Sequence, residues 1–132
     1  KMTDDTTILP PPLTLEIASQ ELTIKMTYGL EMDIRRMLPD IPSAIQLVSS
    51  DPFTQDYIIR RVLTPVKKMV TDMDDLISVE DVEISSEERE SIIHWALEHA
   101  VHFFMVRAGS IKKLGDKYQI APPVPSINGS EA

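Results

Sequence analysis

The stretch that most restricts how this chain can fold is Ser85 to Ala108, SSEERESIIHWALEHAVHFFMVRA, followed at once by Gly109. Ser85 with Glu88 forms a capping box, in which the hydroxyl accepts one backbone N–H and the carboxylate reaches back to another. Glu87, Glu88 and Glu90 set negative charge against the positive end of the helix dipole. Gly109 can adopt the left-handed conformation that closes a helix. Between these signals Ile93, Ala96, Leu97, Ala100 and Phe104 make one stripe at helical spacing. Ile92, Val101, Phe103, Met105 and Val106 widen it until the last two turns are apolar nearly all round, which predicts a helix buried on several sides. The rest of the chain therefore reads as what packs around this helix.

Upstream, the hydrophobic period changes from helical to alternating. Leu13, Leu15 and Ile17, then Leu22, Ile24 and Met26, form two period-2 runs separated by Ala18–Glu21. This predicts a β-hairpin with one apolar face, which must pack on the helices or pair with another chain because a lone hairpin is marginal in water. A free strand edge there would also serve self-association. Thr27 can cap a helix through YGLEMDIRRML that Pro39 stops, and Gly29 near its start would allow close packing. Asp40–Ser43 reads as a turn into a short helix, Ala44–Val48. Asp51 with Pro52 starts another helix, carrying Phe53, Tyr57, Ile58, Val62 and Leu63. Thr64-Pro65 repeats that signal and predicts a further helical turn over 66–70. The arginines of IRRML and IRRVL (35, 36, 60, 61) read as surface residues with buried stems, or as partners of an acidic stretch. Residues 72–84 read as a loop with a possible short strand at 82–84, and 110–119 as a short basic helix broken at Gly115.

The resulting expectation is a mainly α protein: a single α-rich domain over 13–119 with an N-terminal β-hairpin. Proline-rich ends flank it, a flexible arm at 1–12 and a disordered tail at 120–132. No apolar run reaches the roughly 20 residues that cross a bilayer, so no membrane partner is expected. With no cysteine there is neither a disulfide nor a thiolate metal site. Charge is unevenly placed. Asp72 to Glu98 holds ten acidic residues against Arg89, a net of −9 in a chain whose total is −8. Such a balance excludes sequence-independent nucleic-acid binding, which needs a basic surface to displace phosphate counterions.

Catalytic chemistry finds little support. His94, Glu98, His99 and His102 share the main helix, but a helical zinc protease needs two imidazoles one turn apart with the glutamate between them, and here the order carries one residue too many. Asp72-Met73-Asp74-Asp75 lacks the alternating oxygens and glycine of a calcium loop. No phosphate-cradling glycine loop, nucleophile elbow or Cys/His pair is present. The expectation is no enzyme, no cofactor and no metal.

MTYGLEMDIRRMLPD, DPFTQDYIIRRVL and the acidic approach to SSEERESIIHWALEHAVHFF together resemble the tail assembly chaperones of long-tailed bacteriophages, over roughly residues 22–107. The resemblance implies a non-enzymatic factor of the host bacterial cytoplasm, absent from the mature virion. Such a factor coats the helical tape measure protein and helps recruit tail tube subunits to it. Leu15, Ile17, Leu22 and Ile24 of the hairpin, with Phe103 and Phe104 at the aromatic end of the main helix, are the candidate client or self-association surfaces. The alternative from another class is a structural virion component such as a head–tail connector or tail completion subunit.

Overall fold

The computed structural model describes residues 8–80 and 82–119. Two strands, β1 (Leu13–Ile17) and β2 (Gln20–Ile24), precede three helices of ten to twelve residues: α1 (Tyr28–Met37), α2 (Ile41–Ser50) and α3 (Pro52–Leu63). A single 3-10 turn (Met73–Asp75) follows, and then the 33-residue α4 (Ser86–Tyr118). The first half of α4 is the spine against which α1, α2, α3 and β1 pack. No helix among the described residues is long and apolar enough to cross a membrane. The expected tail over 120–132 and the first seven residues of the expected arm lie outside the described residues. Residues 8–12 are held in place, because the Trp95 indole donates to the Pro11 carbonyl at 2.7 Å.

The hairpin forms with the predicted face but a tighter turn. Leu15 pairs with Leu22 and Ile17 with Gln20, so only Ala18 and Ser19 form the loop and Gln20 and Glu21 join the strand. Both loop residues have positive φ (53° and 65°), the backbone of a type I′ turn, whose twist matches that of paired strands. β1 alternates buried and exposed. The far edge of β1 is tied down: the Glu16 N–H donates to the Glu88 carboxylate at 3.1 Å. The capping-box glutamate thus accepts the Ser85 hydroxyl and a strand N–H, and so docks the hairpin on the start of α4.

The caps decide the helix starts. Thr27 accepts from Leu30 N, Asp40 from Ser43 N, Asp51 from Thr54 N and Ser85 from Glu88 N. Because Asp40 is the cap, Ile41, Pro42 and Ser43 form the first turn of α2. Pro42 is tolerated there, since a first-turn N–H has no helical partner anyway. α2 is therefore longer than the 44–48 predicted.

Three other expectations fail. Residues 66–70 form no helix, because side chains from the core satisfy their backbone. Arg61 Nη2 donates to the carbonyls of Val66 (3.2 Å) and Lys68 (3.0 Å), and Val70 N–H donates to Asp33 (2.8 Å). No strand forms among the described residues of 82–84. Gly109 does not end α4 and Gly115 does not break a second helix. One helix runs through both to Gln119, whose φ of 57° supplies the left-handed cap. A mid-helix glycine costs only about 1 kcal/mol, which the good helix formers on either side outweigh.

The largest departure lies in the arginines. Arg61 is fully buried, not a surface residue, and its Nε donates to the equally buried Asp33 at 2.6 Å. Arg36 donates to the other Asp33 oxygen and to the Val70 carbonyl, while Arg60 pairs with Asp56 and donates to the Ile77 carbonyl. Among the described residues none of the four pairs with the acidic stretch. Asp33 thus joins α1, α3 and the 64–70 loop at one point. Gly29 lies beneath the same loop: a Cβ there would fall 2.2 Å from the Lys67 carbonyl oxygen.

Candidate interaction site

The hairpin candidates divide between core and surface. Leu15 and Ile17 are 3% and 7% exposed and belong to the core, so neither offers surface to a partner. This corrects the expectation for these two, and the reason is that the β1 face lies directly on α4. Leu22 stands opposite Leu15 on the outer strand, 38% exposed, and Ile24 is half-buried. Both open onto a groove of about 500 Å³ whose far wall is the end of α3 and the loop through Val66.

Phe103 and Phe104 are half-buried and meet edge to face with centroids 5.6 Å apart. Phe104 packs against the core. The Arg35 guanidinium lies 3.3 Å over the ring of Phe103, and that of Arg107 stands 4.9 Å from it. Phe103 forms one wall of a second groove, of about 510 Å³, with Leu9, Pro10, Met26, His99 and Val106. Pro12, Lys25, Glu31 and His102 complete it. His99 touches Trp95 edge-on at 4.8 Å, and its Nε2 is buried with no hydrogen-bond partner among the described residues. Burial, and then the neighbouring His102, lower its pKa to about 4, so the ring is neutral at pH 7. His94 and Glu98 stand 3.5 Å apart on the open face of α4. Among the described residues no group of three or more His, Asp or Glu could hold a metal ion.

The feature that the sequence reading missed is the second half of α4. From Val106 to Tyr118 every residue except the half-buried Gly115 is exposed, so about 20 Å of helix carries its side chains in solvent. Its apolar residues are not scattered. Ile111, Leu114 and Tyr118 are 42%, 56% and 59% exposed, and they continue the spacing of Ile93, Leu97, Ala100, Phe104 and Arg107 in alternating steps of four and three. That spacing is the seam of a coiled coil. The inner half of the seam is buried in the domain, whereas the outer half has no cover among the described residues. Ending the helix at Gly109 concealed this, because the seam becomes visible only when the helix is carried past it.

The overhang also differs in charge. Residues 107–118 hold Arg107, Lys112, Lys113 and Lys117 against Asp116, a net of +3, so the rest of the chain carries −11. Lys112 and Asp116 form an exposed pair at 3.4 Å, which is worth little in water. The arrangement suits noncovalent docking: an amphipathic helix laid along the seam would bury Ile111, Leu114 and Tyr118. No family model, curated protein or solved structure matches this chain.

Proposed function

We propose that this chain is a non-enzymatic phage tail assembly chaperone. It binds the amphipathic helices of the tape measure protein, helps bring tail tube subunits to them in the host bacterial cytoplasm, and leaves before the virion is complete. The observation that carries this reading is the outer half of α4, an apolar seam left in solvent on a chain of net charge −8. A chaperone for long amphipathic helices needs apolar surface to cover its client and surplus charge to keep the complex dissolved. Both properties sit on one molecule here. The seam is already helical in the free chain, which lowers the ordering cost of binding.

Co-expression with the tape measure protein of the same phage tests this. The client's soluble fraction rises with the wild-type chain and the two co-purify, whereas Leu114→Glu, at an exposed position that leaves the domain folded, loses both effects. A client that stays insoluble refutes the reading. Stoichiometric recovery of this chain from purified particles refutes it too, in favour of a structural component of the tail.

A further inference from the structure

The overhang of α4 carries enough chemistry to say what kind of helix it takes. We infer that residues 107–118 dock an amphipathic helix whose apolar seam is flanked by acidic residues, so that the pair closes as a short two-helix coil. The inference deepens the chaperone reading by naming the docking surface and the charge pattern of the client, and it rests on that reading only for the client's identity.

Three observations support it. The first is the seam itself, Arg107, Ile111, Leu114 and Tyr118, spaced as one side of a coiled coil and uncovered among the described residues. A second helix is what such spacing accommodates; a flat surface or a strand would not follow it. The second is size. Ala108 and Gly115 lie one heptad apart beside the seam, where small side chains let a partner backbone come close. Gly109 and Gly115 also weaken the overhang as an isolated helix, by about 1 kcal/mol each relative to alanine. A solvent-bridging helix gains nothing from that weakness, while a helix completed by packing tolerates it.

The third observation is charge, and it selects among occupants. Around the helix, Lys117 falls at the flank of the seam opposite Ala108 and Gly115, where coiled-coil partners meet charge to charge, and Lys112 and Lys113 lie on the outer face. Arg107 lies within the seam, its guanidinium held near Phe103. Two overhangs laid together would oppose net charges of +3, which disfavours a second copy of the same segment. A glutamate flanking the incoming seam would meet Lys117 instead, within a segment of net charge +3. The acidic stretch from Asp72 to Glu98, at −9, repels an acidic client, so charge turns such a helix away from that part of the chain and towards the overhang.

The test uses the full chain and two fluorescent designed peptides of about three heptads, both with leucine at the seam, one flanked by glutamate and the other by lysine. Fluorescence anisotropy at low salt should show the glutamate peptide binding at least ~10-fold more tightly than the lysine peptide, the gap narrowing as salt rises. Leu114→Glu should abolish binding of both, with the circular dichroism of the domain retained. The variant Lys117→Glu should narrow or reverse the preference, which a merely structural role of this lysine would not do, whereas Lys112→Glu on the outer face should change it less. Equal affinity for the two peptides, or no binding of either, overturns the inference while leaving the co-expression result free to stand. A chain that sediments alone as a dimer of its 14.9 kDa unit, and that Leu114→Glu returns to monomer, assigns the seam to a second copy and overturns it as well.

Discussion

Asp33→Ala should be among the most damaging single substitutions in this protein, and the contacts say by how much. Asp33 is fully buried and accepts from Arg61 Nε at 2.6 Å, from Val70 N–H at 2.8 Å and from Arg36. Removing it leaves the Arg61 guanidinium, also fully buried, without its counterion. Breaking a buried pair from one side costs about 3–5 kcal/mol, since the remaining charge keeps its desolvation penalty. The stranded Val70 N–H adds about 1 kcal/mol. A sum of roughly 4–6 kcal/mol is a large share of the ~5–15 kcal/mol that holds a domain together. Arg61→Met should cost less, about 2–4 kcal/mol, because the buried Asp33 keeps Arg36 and the Val70 N–H as donors, while the carbonyls of Val66 and Lys68 lose theirs. Asp33→Leu combined with Arg61→Met should fall well short of the sum of its singles, since neither residual charge is then buried. Urea unfolding followed at Trp95, the sole tryptophan and 4% exposed, measures all of these; a loss near 4 kcal/mol moves the midpoint by about 2 M. Singles that each cost under about 1 kcal/mol, or a strictly additive double, would refute the claim that this pair organises α1, α3 and the 64–70 loop.

Gly29→Ala should destabilise by about 2 kcal/mol or more, read as a lowered midpoint in thermal melts. The helix-propensity gain of about 1 kcal/mol is outweighed because the new Cβ meets backbone, at 2.2 Å from Lys67 O and 2.4 Å from Lys68 C. Replacing Ala18-Ser19 with Asn-Gly should stabilise by about 1–2 kcal/mol in urea, since both positions have positive φ and the native residues bear that strain. Acid should weaken the fold through His99. Its folded pKa of about 4 lies below the unfolded value of 6.5, so as pH falls the unfolded chain takes up the proton first. That contribution is complete above pH 6.5 and disappears towards pH 4, a loss of order 2–3 kcal/mol. His99→Leu should flatten this part of the stability–pH curve, and an unchanged slope would show that the imidazole is not buried neutral.

Much of the architecture was legible along the chain because it is decided locally. Thr27, Asp51 with Pro52, and Ser85 with Glu88 each satisfy N–H groups within one turn, so their effect does not depend on the rest of the fold. The hairpin face was legible from its period of two, although the turn was not: Ala18-Ser19 carries none of the glycine or asparagine that normally marks a type I′ turn. One tertiary feature left a trace that could have been read. Thr54, Tyr57, Ile58, Arg61 and Val62 follow helical spacing, as do Leu30, Asp33, Ile34 and Met37. An aspartate and an arginine thus occupy inward positions on neighbouring helices, and buried opposite charges seek each other.

The acidic stretch over 72–98, the basic segment over 107–118, the capped helices and the apolar alternation of the hairpin were set by the sequence alone, because composition, caps and periodicity act over a few residues. Tertiary structure alone decided three things. It turned 66–70 into a loop by giving its carbonyls and N–H groups to Arg61 and Asp33. It sank Leu15 and Ile17 under α4. It also ran out of domain at Val106, leaving the outer seam of α4 in solvent. Whether an apolar stripe is core or surface depends on what stands opposite it, and only the folded chain supplies that.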